Sequence, residues 1–124
     1  MGINSKILNI ANGNIIPTED AESYTIDTHK DFTVFIIELK DATMVAGKRN
    51  FGYLILTFNG DIITSYYGGT SNAAGNSWGS VALWNKTGTA QVAQKNGTTI
   101  TINVANMSSG AKFFANTEYE WRCW

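Results

Sequence analysis

One stretch of the sequence matches a motif of covalent catalysis. Gly75-Asn76-Ser77-Trp78-Gly79 fits the G-x-S-x-G pattern of a serine nucleophile elbow. The elbow requires a strand before the serine, a helix after it, and an acid and a histidine further along the chain. Here a glycine-rich stretch precedes Ser77, a strand is predicted after it, and the only histidine, His29, lies upstream. The motif therefore does not predict a hydrolase.

Some acidic residues occur in groups that resemble sets of metal ligands. His29 stands between Asp27 and Asp31, but one imidazole and two carboxylates without a second cluster are more typical of a solvated loop than of a metal centre. The acidic stretch 18–22 lacks the alternating Asx spacing and the glycine of a calcium loop. We therefore predict neither a metal site nor a cofactor.

Glu118 and Glu120 are the one pair of carboxylates with a spacing suited to acid–base work. Alternation along a strand places both on the outer face, about 7 Å apart, which is compatible with the acid pair of a glycosidase. A solvated strand face is the simpler interpretation. No set of acid, base and nucleophile satisfies the requirements of an active site, and we predict a protein that is not an enzyme, with no catalytic residues.

Aromatic residues near the glycine-rich stretch are the most informative candidates. Aromatic rings stack on the C–H face of a sugar, while amide and hydroxyl groups bond to its hydroxyls. Trp78, isolated among glycines, is the strongest single candidate, whereas Tyr66 and Trp84 also fit core positions. The predicted ligand-binding residues are Trp78, Tyr66, Tyr67, Asn72, Asn76, Ser77 and Trp84.

Composition limits the other classes of function. The chain has 124 residues, a net charge of −1 and only 15% charged residues, which predicts a single domain over 1–124 and makes nucleic acid an unlikely partner. A less regular segment is expected over 1–30. No run approaches the length of a membrane span, so membrane insertion is not expected. A single cysteine, Cys123, excludes an intrachain disulfide.

The elements that must position these residues are predicted to be strands. The apolar runs Tyr53–Phe58 and Ile62–Tyr67 flank Asn59-Gly60, which predicts a β-hairpin with a type I′ turn. Asn96-Gly97 marks a second hairpin. Gly68–Gly79 is predicted to be a long flexible loop, because it contains four glycines and one large aromatic residue.

Strands are also predicted near both ends of the chain. Phe32–Leu39 is the most hydrophobic run and predicts a buried strand. Glu118–Trp124 predicts a terminal strand, and Lys6–Ile10 a short one, whereas Asn12-Gly13-Asn14 is predicted to be a turn. Eight to ten short strands without a convincing helix indicate an all-β fold, an antiparallel β-sandwich that is jelly-roll-like.

The order of these segments resembles a known class of domain. An apolar strand, FTVFIIEL, precedes the hairpin FGYLILTFNGDIITSYY, a Gly/Asn-rich stretch follows, and the chain closes on EYEWRCW. This order, over roughly Phe32 to Trp124, resembles the C-terminal receptor-binding head modules of bacteriophage tail fibres and related virion proteins. The resemblance implies a small all-β domain that forms a homotrimer on the virion surface. It also implies contact with a host cell-surface glycan or protein, and with other virion proteins.

Three functions are compatible with the sequence. The first is a virion module that binds a host receptor, plausibly a glycan, through the Gly68–Gly79 region. The second is a purely structural capsid or tail component, which would bind no host surface. The third is a monomeric carbohydrate-binding module, which would bind a soluble polysaccharide.

Overall fold

The computed structural model describes residues 10–41, 44–81 and 91–124, and nine β-strands lie within these ranges. They are β1 (Ala11–Ile15), β2 (Ser23–Asp27), β3 (Val34–Leu39), β4 (Phe51–Asn59), β5 (Ile62–Ser71), β6 (Trp78–Val81), β7 (Ala93–Asn96), β8 (Thr99–Asn103) and β9 (Tyr119–Cys123). A 3-10 turn, Val104–Asn106, follows β8.

The strands form two antiparallel sheets. The larger sheet has the order β1-β9-β3-β4-β5-β6, and the smaller has the order β2-β8-β7. Strands β3 to β6 follow one another as a meander, while the last strand of the chain lies between β1 and β3. The two sheets pack face to face, which confirms the predicted all-β sandwich.

The core lies between the inner faces of the sheets. The larger sheet contributes Phe35, Ile37, Leu54 and Leu56, and the smaller contributes residues such as Ile100, all of them fully buried. Buried and more exposed residues alternate along β3 and β8, as period-two strands with one covered face require. The predicted buried strand Phe32–Leu39 is thus confirmed, although β3 begins two residues later.

Both predicted hairpins are present, but the turn is displaced by one residue in each. Asn59 pairs with Ile62, so the two central residues of the first turn are Gly60 and Asp61. Of these two, only Gly60 has a positive φ, at 60°. Glycine at the first central position with φ above zero is a property of type II′ rather than type I′ turns. The predicted type I′ turn is therefore wrong, and Gly97 (φ 61°) occupies the same position in the β7–β8 turn.

The flexible loop predicted over Gly68–Gly79 is wrong. Strand β5 continues to Ser71 and β6 begins at Trp78, so only residues 72–77 connect them. Gly75 has a φ of 69°, and a Cβ atom built there would lie 1.9 Å from the carbonyl oxygen of Val45. Only glycine permits this close approach, which holds the connection against the neighbouring segment.

The N-terminal segment is also more regular than predicted. Asn12-Gly13-Asn14 is not a turn but the middle of β1, which pairs with β9. The segment 1–30, expected to be less regular, contains β1 and β2. Glycine occurs in β1 because the Trp121 indole covers it: a Cβ atom at Gly13 would lie 2.7 Å from the ring. The strand predicted over Lys6–Ile10 falls almost entirely outside the described residues.

A buried hydroxyl connects the last strand to the core. The Tyr119 hydroxyl donates to Oδ1 of Asn50 at 2.7 Å and accepts the Phe114 backbone N–H at 2.9 Å. Asn50 and Tyr119 are both almost fully buried. Burial raises the pKa of Tyr119 to about 12, because ionisation would place an unsolvated charge in the core.

We expect Tyr119→Phe to lower the free energy of unfolding by about 1–3 kcal/mol, since it leaves a buried acceptor and a buried N–H without their partner. The hydroxyl also gives a pH signature. Its pKa is higher in the folded than in the unfolded state, so its contribution is complete below about pH 10 and is lost as the pH rises towards 12. Urea unfolding at pH 7 and between pH 9 and 12 measures both effects. If the two proteins lose stability equally above pH 10, Tyr119 is not the group responsible.

Candidate functional site

The outer face of the larger sheet is the face turned away from the smaller sheet. Its side chains follow from the strand register, in which residues opposite one another point to the same face. One row across β3, β4 and β5 is Ile36, Ile55 and Tyr67, and a neighbouring row is Glu38, Tyr53 and Gly69. Ile55 is 37% exposed and Tyr67 is 56% exposed. The face is therefore apolar at its centre and open to solvent.

Two aromatic rings on this face lie directly on glycines. A Cβ atom at Gly52 would lie 2.8 Å from Cζ3 of Trp78, and one at Gly69 would lie 2.6 Å from Cε1 of Tyr53. Any larger residue at either glycine would displace a ring. The glycines thus let Trp78 and Tyr53 lie close to the sheet and present their rings to solvent.

Trp78, Tyr53 and Tyr67 form what we call the outer aromatic row. Trp78 and Tyr53 line a shallow groove of about 260 Å³. The Tyr53 ring centroid is also 5.6 Å from that of Tyr67, with the ring planes inclined by 45°. Rings from the neighbouring strands β4, β5 and β6 thus lie near one another on this face, which is a surface suited to stacking on an extended ligand.

A carboxylate adds polarity beside the row. Glu38 lies opposite Tyr53 on β3 and lines the same groove together with Leu39. Its Oε1 accepts a bond from Nη1 of Arg122 at 3.1 Å. This pairing fixes the carboxylate at the groove wall, where it is available as an acceptor for ligand hydroxyls.

The structure divides the predicted ligand-binding residues. Trp78 and Tyr67 belong to the row, but Tyr66 is turned towards the inner face, where it is half-buried and packs against the core. Tyr66 is therefore removed from the candidate site, because adjacent residues of a strand point to opposite faces. Trp84 lies outside the described residues.

The predicted amide groups serve the turn between β5 and β6. Nδ2 of Asn72 donates to Oδ1 of Asn76 at 2.7 Å, and the Asn76 backbone N–H donates to Oδ1 of Asn72 at 2.9 Å. The Asn72 backbone N–H donates to the carbonyl oxygen of Ser77, and Ser77 itself is exposed. These bonds make Asn72 and Asn76 structural, and they position Trp78 at the start of β6.

Sequence reasoning missed Tyr53, Glu38 and the two glycines beneath the rings. A glycine inside a strand pattern indicates a bulge or the close approach of another group. Gly52 meets this description, since the β4–β5 register shifts between Phe51 and Tyr53. That signal, read together with the nearby aromatic residues, identifies Tyr53 as part of the surface.

The predicted acidic sets take part in local contacts. The His29 backbone N–H donates to Oδ1 of Asp27 at 2.8 Å, and this bond lowers the pKa of Asp27. Asp31 instead contacts Nζ of Lys95 at 2.7 Å. Among residues 10–41, 44–81 and 91–124, no group of three or more His, Cys, Asp or Glu side chains is placed to hold a metal ion.

Lys95 connects the tips of the two hairpins. Its side chain is 1% exposed, its ammonium contacts Asp31 and also Asp61 at 2.9 Å, and it lies 5.0 Å from the centre of the Phe32 ring. Hydrogen bonds from Lys95 lower the pKa of both carboxylates. The cluster holds the β4–β5 turn against β7 and is explained by the fold.

Glu118 and Glu120 share a lysine. Nζ of Lys40 lies 3.3 Å from Oε2 of Glu118 and 3.7 Å from Oε1 of Glu120. Both carboxylates are partly exposed and pair with the same exposed lysine, as surface ion pairs commonly do. The arrangement favours the solvated strand face over an acid pair.

No protein-family model matches the chain, and neither a curated protein nor a solved structure matches it. Within the described part of the chain, no helix is long and apolar enough to cross a membrane.

Proposed function

We propose that the protein is a non-enzymatic recognition module that binds a saccharide on a host cell surface through the outer aromatic row. The proposed setting is the virion surface, as in the tail-fibre heads that the sequence resembles. The observation that carries the proposal is the row itself: three neighbouring rings, two of them lying on glycines, on a sheet face where Tyr67 and Trp78 are exposed.

The physical features of the row favour a saccharide. Sugars present flat C–H faces and rims of hydroxyls, so their sites combine aromatic rings with a few fixed hydrogen-bonding groups. Here the rings are held at the sheet surface, and Glu38 beside Tyr53 supplies a fixed acceptor. Because the surface is formed largely before binding, little ordering entropy opposes association.

A glycan array with the labelled protein tests the proposal. We expect binding to a defined group of saccharides, with each hit confirmed by calorimetry and competed by the free sugar. Absence of binding to any saccharide, with the protein folded as judged by circular dichroism, would overturn the proposed ligand class.

The aliphatic part of the same face supports a second candidate, a structural virion component. Val34, Ile36 and Ile55 extend the apolar surface beyond the rings, and such a patch is typical of contacts between subunits. In this role the face would pack against another virion protein or another copy, and we propose a homotrimer as the assembly.

Solution mass separates these roles. A homotrimer predicts about three times the 13.5 kDa of one chain by light scattering. A monomer that binds saccharide would indicate a free carbohydrate-binding module. A trimer that binds no saccharide would indicate the structural role.

A further inference from the structure

We propose that a second site, separate from the outer aromatic row, binds an oxyanion such as a phosphate or sulfate group. The site is a pocket of about 280 Å³ between the connection that precedes β4, the 72–77 turn and the segment that follows the 3-10 turn. Its charged lining residues are Lys48, Arg49, Lys112 and Asp20. Three cations and one carboxylate leave an excess of two positive charges.

Backbone hydrogen bonds hold two of the lining residues next to each other. The Lys112 backbone N–H donates to the carbonyl of Arg49 at 3.2 Å, and the Phe51 backbone N–H donates to the carbonyl of Lys112 at 3.1 Å. Asn50 and Lys112 form the corresponding parallel bridge. The fold therefore keeps the Arg49 and Lys112 backbones adjacent, and both residues line the pocket.

These cations differ from others in the described chain. Lys40, Lys95 and Arg122 each contact at least one carboxylate within 4 Å. Neither Arg49 nor Lys112 has such a contact with a described residue. Two cations without a carboxylate, in one concave pocket, are the charge complement of an anion.

The third cation is only weakly compensated. Nζ of Lys48 is 3.8 Å from Oδ2 of Asp20, near the limit of an ion pair. Oδ1 of Asp20 already accepts the Ala115 backbone N–H at 2.9 Å. Asp20 therefore offsets one of the three positive charges, and two remain without a carboxylate.

Hydrogen bonds hold the Arg49 guanidinium in place, and not all of its N–H donors have a partner among the described residues. Its Nη1 donates to Oγ of Ser108 and, at 2.8 Å, to the carbonyl of Ser109. Its Nε is the one buried side-chain nitrogen or oxygen among the described residues without a hydrogen-bond partner. Buried donors are normally satisfied, so Arg49 is a guanidinium whose donor capacity is not fully used by the described residues. A planar guanidinium that is fixed in advance is well suited to phosphate and sulfate oxygens.

The test is a titration of ¹⁵N-labelled protein with sodium phosphate, sodium sulfate and glucose 6-phosphate at constant ionic strength, with sodium chloride as reference. We expect saturable shifts of the Lys48, Arg49 and Lys112 amide signals with phosphate and sulfate, and none with chloride. Tighter binding of glucose 6-phosphate would assign the site to a phosphorylated glycan, and equal binding to a free anion. Shifts that grow linearly, or equally with chloride, would overturn the site.

Variants tie the signal to the pocket. Lys112→Gln and Arg49→Gln each remove one charge, and we expect the dissociation constant for phosphate to rise about fivefold or more. Lys112→Gln is the decisive variant if Arg49→Gln does not fold, because Lys112 makes no ion pair with the described residues. Arg122→Gln is the matched control, since this arginine lies on the outer face beside Glu38; its affinity for phosphate should not change. Unchanged affinity in Lys112→Gln would contradict the proposal.

Discussion

Trp78→Ala is expected to lower the saccharide affinity about thirtyfold or more while leaving the sandwich folded. The side chain is 37% exposed and lies on Gly52 at one end of the outer aromatic row, where it lines the groove shared with Tyr53. Truncation of a tryptophan that contacts the ligand with its ring commonly costs about 2 kcal/mol or more, which is roughly a thirtyfold loss of affinity. Calorimetry with the saccharide selected by the array measures this loss.

Trp124→Ala is the matched control for Trp78→Ala. Trp124 has a similar exposure, 40%, and its backbone N–H and carbonyl, which pair with Val34, are retained in the variant. We expect its saccharide affinity to equal that of the unmodified protein. Equal affinities in both variants would show that Trp78 does not contact the ligand. The melting temperature of Trp78→Ala is measured as well, and a decrease of more than a few degrees would show that the substitution destabilises the fold.

Trp121→Ala is expected to give the largest loss of stability. The indole covers Gly13 of β1 and stacks on Phe35 of β3, with ring centroids 6.1 Å apart and planes inclined by 15°. It therefore joins β9 to both of its neighbouring strands. Removing so large a side chain from a packed position costs roughly 3–5 kcal/mol, and denaturant unfolding at pH 7 measures it.

Gly13→Ala provides a second test of the same contact. A Cβ atom at Gly13 would lie 2.7 Å from the Trp121 ring, so the substitution should destabilise the unmodified protein by about 1–3 kcal/mol. In the Trp121→Ala background the ring is absent, and the penalty should disappear. Additive effects of the two substitutions would contradict the packing described.

The strands were predictable because their signals are local. Period-two alternation in Thr99–Asn103 and Tyr119–Cys123, and the Asn-Gly pairs of the two hairpins, depend only on residues close in sequence. The turn type was not predictable to the residue. Asn-Gly allows either register, and the pairing of Asn59 with Ile62 is decided by the packing of the two strands on the core.

Glycines within the strands are the main reason why parts of the fold were not predicted from the sequence. Gly13, Gly52 and Gly69 lie within or next to regular strands, where their side-chain space is filled by an aromatic ring from another strand. From the sequence alone Gly13 indicates a turn and Gly69 a flexible loop. The ring that covers each glycine is distant along the chain, so only the tertiary structure shows why the strand continues through it.

Only part of the candidate site was predictable from the sequence. Trp78 and Tyr67 were identified because exposed rings among small polar residues are unusual. Tyr53 was not, since it lies in an apolar run that also supplies the core, and its exposure depends on strand register. Asn72 and Asn76 were predicted to contact the ligand, but their side chains bond within the turn and have a structural role instead.

The most direct test of the proposed function is an amide and indole chemical-shift titration with the saccharide selected by the array. We expect saturable shifts at the Trp78 indole N–H and at the amides of Gly52, Tyr53 and Gly69, with much smaller shifts in β2, β7 and β8. Saturable shifts confined to the smaller sheet, with the outer aromatic row unperturbed, would contradict the account.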